Sequence, residues 1–114
     1  MQWNSLSRSP DLDSFIKASY QKQILIFKHS TRCSISSMVR SRVEAQWPSN
    51  TFWTPILVDV IANRQISNVI ADIFGVQHES PQLLMIENGQ CSHHASHFDI
   101  DLTRIQTFSG QNNY

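Results

Sequence analysis

Cys33 closes the run Ile24-Leu25-Ile26-Phe27-Lys28-His29-Ser30-Thr31-Arg32-Cys33, and Ser34-Ile35-Ser36 follows it. An apolar, strand-like segment stops at a short polar turn, the cysteine follows, and a segment of helical period begins behind it. That order puts the sulfur at a helix N-terminus beside Arg32. The helix dipole and a neighbouring cation both favour the thiolate, the form of cysteine that attacks disulfides. Free cysteines often serve only as small buried apolar groups, but this strand–turn–helix setting argues for reactivity. A dithiol mechanism would place a second cysteine three residues on, where this chain has Ser36. A serine there can donate a hydrogen bond to the thiolate but cannot resolve a disulfide. The pattern therefore predicts one-thiol exchange, with the second thiol borrowed from another molecule.

A second group of reactive types is Cys91-Ser92-His93-His94-Ala95-Ser96-His97. Cysteine and histidine are common zinc and copper ligands. On a strand, however, alternate residues face opposite sides, so Cys91 and His93 share one face and His94 takes the other. A tight metal site needs three or four converging ligands, which this segment alone does not supply. Cys91 itself is expected to be packed or idle. His29 and His78 flank the expected site, and each is open to two readings: a proton-transfer group near neutral pH, or a loop side chain held by backbone hydrogen bonds.

These groups depend on the elements that carry them. Ser9-Pro10-Asp11-Leu12 opens a first helix with a cap residue, a proline at the first turn and an acid behind it, with Leu12, Phe15 and Ile16 on its apolar face. Gln23 to Lys28 reads as a strand buried on both faces. A helix over about Ser34 to Gln46 follows, with Ile35, Met38, Val39 and Val43 on one side and Arg40, Arg42 and Glu44 towards water; Pro48-Ser49-Asn50 ends it. Pro55 to Val60 is a second buried strand. Ile66, Val69, Ile70, Ile73 and Phe74 recur at helical spacing, with Gly75 as the stop. Gln82 to Ile86 and Gln90 to Ala95 form a hairpin about Asn88-Gly89. Asp99, Asp101, Leu102, Ile105 and Phe108 suit a last helix, and about 109–114 read as a polar tail. The order α-β-α-β-α-β-β-α predicts an α/β fold: a small mixed sheet, parallel through its crossovers and antiparallel at the late hairpin, with helices on both faces. Sites in such sheets lie beyond the carboxyl ends of the strands, which is where Cys33 falls.

The 114 residues fit a single domain over 1–114, and a hydrophobic fraction of 40% suits a packed core. Nine basic and nine acidic side chains cancel, which argues against nucleic acid or an anionic membrane as partner. No apolar run approaches a membrane span, and Met1-Gln2-Trp3-Asn4-Ser5-Leu6-Ser7 lacks the basic head and apolar stretch of a signal peptide. A cytoplasmic location is expected. Two cysteines far apart in sequence do not make a disulfide scaffold.

The residues Lys28 to Ser36, Ser67-Asn68-Val69-Ile70-Ala71, Gly75-Val76-Gln77-His78-Glu79-Ser80-Pro81-Gln82 and His94-Ala95-Ser96-His97 together resemble the YtxJ-type monothiol bacilliredoxins. The resemblance spans about Gln23 to Ile105; Ser34 departs from it, since many members carry proline there. It implies a thioredoxin-like fold and removal of bacillithiol from mixed disulfides on S-thiolated client proteins. Cys33 would be the catalytic group, bacillithiol the co-substrate, and no cofactor would be tightly bound. Thr31, Arg32, Ser36, Ser80 and Pro81 would bind substrate or stabilise the thiolate, although Arg32 is also readable as simply solvated. The same likeness implies a cis bond before Pro81, facing the cysteine, with the backbone of Ser80 offered to an extended substrate. Ordinary thioredoxins carry a buried acid six residues before the cysteine, where this chain has Phe27; a one-thiol mechanism has no use for that acid, and Phe27 equally suits the core. Two alternatives remain: a glutathione-type monothiol glutaredoxin or iron–sulfur carrier, which would carry Gly and Phe where Ser34 and Ile35 stand, and a metal-binding module using residues 91–97.

Overall fold

The structure is a computed structural model that describes residues 1–48 and 53–105. Its elements in chain order are β1 (Asn4–Ser5), α1 (Ser9–Ala18), β2 (Ile24–His29), α2 (Ser34–Gln46), β3 (Thr54–Asp59), α3 (Arg64–Phe74), β4 (Gln82–Glu87) and β5 (Gln90–Ser96). A short 3₁₀ turn, His97–Asp99, follows, and 102–105 are helical. The expected last helix is thus seen through Ile105; its continuation to Phe108, the tail at 109–114, and Ser49 and Asn50 lie outside the described residues.

The five strands make one sheet in the order β1-β3-β2-β4-β5. β3 lies parallel to both β1 and β2, while β4 runs antiparallel to β2 and to β5. The mixed sheet expected from the strand–helix order is therefore present. Sequence pattern missed β1, whose two residues pair with Ile56 and Leu57 at the sheet edge. Two residues are too few to show a period.

Strand alternation sorts β2 onto two cores. Ile24 and Ile26 join one cluster with Leu12 of α1 and Ile66 and Ile70 of α3. Leu25 and Phe27 join the other with Val39 and Val43 of α2 and with Leu102 and Ile105. All six β2 residues are buried, so the pattern carries two polar side chains inward at the strand's C-terminal end. Lys28 follows the first face and His29 the second.

The helices refine the expected faces. α2 buries Ser36, Val39 and Val43, whereas Ile35 and Met38, placed inside by sequence, are exposed. The helix is rotated from the expected setting, and a serine takes the inner position. Arg42 is not a free surface charge: its guanidinium donates to the carbonyls of Phe98, at 3.1 Å, and Ile100. In α3, Ile66 and Ile70 are buried but Ile73 is about half exposed. Gly75 ends α3 in the left-handed region at φ 66°, a conformation that costs glycine little. Asn88 (φ 53°) and Gly89 (φ 76°) form the hairpin turn. A Cβ on Gly89 would meet the ring of Tyr20.

β5 corrects the expected alternation. A bulge near Met85/Ile86 sets Ile86 opposite Cys91 but Met85 opposite His93. Cys91 then packs with the α1/α3 core, while Ala95 packs with the α2 core. Cys91 and His93 therefore take opposite faces, and Cys91 shares its face with His94.

Candidate active site around Cys33

Cys33 is the N-cap residue of α2, with extended backbone (φ −113°, ψ 119°). It sits just past the end of β2, on a tight turn in which its N–H donates to Ser30 O at 3.2 Å and its carbonyl accepts from Ser37 N at 3.1 Å. The side chain is a free thiol, partly exposed. It helps line a cavity of about 320 Å³ together with Ser30, Arg64, Ser67, Asn68, His78 and Ser80. Among the described residues, no acidic side chain lines this cavity.

Of the residues expected at the site, Ser80 shares the cavity with Cys33, and the Ser80–Pro81 bond is cis. Pro81 itself is buried, and its carbonyl accepts from His97 N–H at 2.9 Å. Thr31 and Arg32 are exposed on the turn before the cysteine and are not among the cavity's lining residues. Ser36 lies beneath the turn, fully buried. Its Oγ accepts from Ser30 N–H at 3.0 Å and shares a 2.7 Å hydrogen bond with His29 Nδ1. The serine in the second-thiol position thus ties the cysteine turn to the end of β2.

His29 is a buried brace. Its ring stacks on Phe27 with centroids 5.9 Å apart. Burial first, and the Arg40 charge second, hold its pKa below the usual value against the opposing pull of Asp59 and Glu44. Phe27 is itself fully buried and stacks on Trp3 at 5.7 Å, so the position that holds an acid in ordinary thioredoxins here is aromatic core.

On the opposite face of β2, Lys28 is fully buried. Its Nζ donates to Ser67 O at 3.0 Å and lies 3.3 Å from His78 Nδ1, and Ser67 Oγ is 2.9 Å from the same nitrogen. Burial pushes the lysine down to about 8. His78 is lowered as well, first by burial, then by the Lys28 and Arg64 charges, with Glu79 opposing. Sequence reasoning missed Lys28, Arg64, Ser67 and Asn68 as neighbours of the site. The available signal was a lysine that closes an otherwise apolar run, Ile24-Leu25-Ile26-Phe27-Lys28.

Cys91 lies at the other end of the sheet. It stands opposite Ile86, which stands opposite Ile24 at the start of β2, whereas Cys33 follows the end of that strand. β2 spans six residues, about 16 Å at roughly 3.3 Å per residue. A disulfide needs Cα atoms within about 7 Å, so Cys91 cannot reach Cys33 in this fold. Burial raises its pKa, and its thiol donates to His93 O at 3.3 Å. The neighbouring histidines do not assemble a ligand set: among the described residues no three His, Cys, Asp or Glu side chains come together as a metal site. Among the same residues, no helix is long and apolar enough to cross a membrane.

A free thiol on the N-cap residue of the helix behind a central strand, a cis proline directly after a serine that shares its cavity and a mixed five-stranded sheet define a thioredoxin-fold thiol–disulfide oxidoreductase. Solved structures share the fold. A thioredoxin-fold protein described as a suspected oxidoreductase is 25% identical, with a TM-score of 0.80 over 92% of this chain and 91% of its own. Thioredoxin from Trypanosoma brucei brucei is 10% identical, with a TM-score of 0.77 over 98% and 93% of the two chains. Thioredoxin from Fasciola hepatica is 18% identical, with a TM-score of 0.72 over 95% and 97%. Residues 4–105 match the family described as monothiol bacilliredoxin BrxC, and the chain belongs to that family.

Proposed function

We propose that the protein removes bacillithiol from mixed disulfides on cytoplasmic client proteins, acting as one domain through Cys33 alone. The observation that carries this reading is the placement of the two cysteines: one caps α2 at a cavity, and the other is packed a strand's length away. The Cys33 thiolate attacks the bacillithiol sulfur of the mixed disulfide. A new S–S bond forms to Cys33, the client S–S bond breaks, and the client sulfur leaves as thiolate and takes a proton from water. A second bacillithiol thiolate then attacks the adduct, releasing bacillithiol disulfide and restoring the Cys33 thiolate. No cofactor is needed for either step.

Each neighbour has a part in this reading. The α2 N-terminus favours the anion at Cys33. Thr31 and Arg32, exposed beside the sulfur, meet the client. The backbone at Ser80 pairs with an extended client segment, with Pro81 closing that edge. Ser36 holds the turn at its set distance from β2 through His29 and Ser30. The test is reduction of a bacillithiolated client protein: activity is lost in Cys33→Ser and kept in Cys91→Ser. Equal loss in the two variants would make Cys91 a resolving residue and end the one-thiol reading.

A further inference from the structure

The interior of the α3 face holds a cation without a counter-charge among the described residues. Lys28 is fully buried, and buried charges are ordinarily paired, because leaving one unpaired in a low-dielectric setting is costly. Its hydrogen bonds run to a carbonyl, Ser67 O, and to an imidazole nitrogen, His78 Nδ1. Among the described residues the ion pairs are Arg40–Glu44 and His97–Glu79, and neither includes Lys28. Among the described residues, the carboxylate acting on His78 is that of Glu79, an exposed residue on the loop beside it.

The hydrogen-bond roles follow from chemistry. An ammonium only donates, so His78 Nδ1 accepts, and the ring proton sits on Nε2. His78 is exposed; its Nδ1 is taken up by Lys28 and Ser67, which leaves Nε2–H as the ring's remaining donor, and burial first, then the Lys28 and Arg64 charges, disfavour a second proton. His78 lines the same cavity as Cys33, with Arg64, Ser67 and Asn68. One positive charge thus stands in the wall and a second behind His78, with no acid among the described lining residues. The volume, about 320 Å³, is at the small end of ligand pockets. Ser80 Oγ, also of a lining residue, is buried without a hydrogen-bond partner among the described residues.

We propose that this cavity is a subsite for a carboxylate carried by the small thiol, with Arg64 as its direct anchor and Lys28 as a positioning residue acting through the Nε2–H of His78. The inference rests on the reading that Cys33 takes over the small thiol; the thiol sulfur then meets Cys33 while the rest of the molecule occupies the cavity. It makes Arg64 the residue that selects the thiol, and leaves Arg32 on the client side.

The test compares one reporter peptide in mixed disulfide with mercaptosuccinate, 2-mercaptoethanol or cysteamine. Transfer of each small thiol to Cys33 is normalised to attack by free dithiothreitol on the same disulfide. The expected result is a preference of about tenfold for mercaptosuccinate over 2-mercaptoethanol, with cysteamine slowest, and a preference that shrinks as salt is raised. Arg64→Gln should bring the mercaptosuccinate to mercaptoethanol ratio close to one, and Lys28→Met should lower it part of the way. In case Lys28→Met does not fold, nitrogen-15 NMR of the wild-type protein reads the tautomer directly: His78 should carry its proton on Nε2. Equal rates for the three disulfides, a proton on Nδ1, or an Arg64→Gln variant that slows all three by one factor would overturn the subsite while leaving Cys33 exchange standing. No transfer to Cys33 from any of the three would instead overturn the Cys33 reading, and the subsite with it.

Discussion

Ser36 Oγ lies 2.7 Å from His29 Nδ1 and accepts the Ser30 N–H at 3.0 Å, so the residue in the second-thiol position braces the turn that presents Cys33. Ser36 is fully buried and His29 nearly so. Removing the hydroxyl strands a buried ring nitrogen and a backbone donor. Ser36→Ala is expected to cost about 1–3 kcal/mol, the range for leaving buried polar groups unpaired. The urea midpoint measures it, and an unchanged midpoint would show that water replaces the hydroxyl there.

Lys28 gives a pH signature. Its folded value, about 8, lies below the ordinary lysine value of ~10.4. Between these two values the unfolded chain binds more protons than the folded one, so this residue makes stability rise with pH across that window. Below about 8 the cost of the buried charge is present in full. Chemical denaturation from pH 7.5 to 10 should therefore show a rising contribution in the wild type that is missing in Lys28→Met. A difference between the two proteins that stays flat across the window would contradict it.

Cys91 should be the slow thiol. Burial raises its pKa and it packs against the α1/α3 core. Iodoacetamide at pH 8 should label Cys33 first in the folded protein, with the order lost in denaturant. Peptide mapping after short exposure reads this, and equal labelling of the two in the folded state would contradict the packing.

Gly89 has positive φ and no room for a side chain. Gly89→Ala should destabilise the hairpin by about 1–2 kcal/mol from the left-handed backbone alone, with the displacement of Tyr20 added. Thermal unfolding checks this, and a melting temperature within a degree of the wild type would sink it.

Much of the fold was legible because its signals are local. The strand runs at Ile24 and Pro55, the helical period from Ile66 to Phe74, the Asn88-Gly89 turn and the polar break before Cys33 each need only neighbouring residues. The placement of Cys33 at the start of α2 followed from those. What stayed hidden depends on contacts between distant segments. β1 exists because β3 offers it an edge. The inner face of α2 is set by Ser36 meeting His29, which turns Met38 outward although hydropathy placed it inside. One bulged residue in β5 moved Cys91 to the other side of the sheet from His93. Lys28 read only as the last residue of a buried strand; only the arrival of α3 and the His78 loop against it shows a buried cation behind two residues that line the cavity.

The central claim is that a single thiol carries the exchange. A client protein bearing bacillithiol is mixed with the reduced protein, quenched by acid within seconds, and both chains are weighed intact and mapped by mass spectrometry. The account predicts that bacillithiol leaves the client and appears on Cys33, in the wild type and in Cys91→Ser alike, with free bacillithiol then clearing the adduct. A Cys33–Cys91 disulfide, or an adduct on Cys91 with Cys33 unmodified, would contradict it.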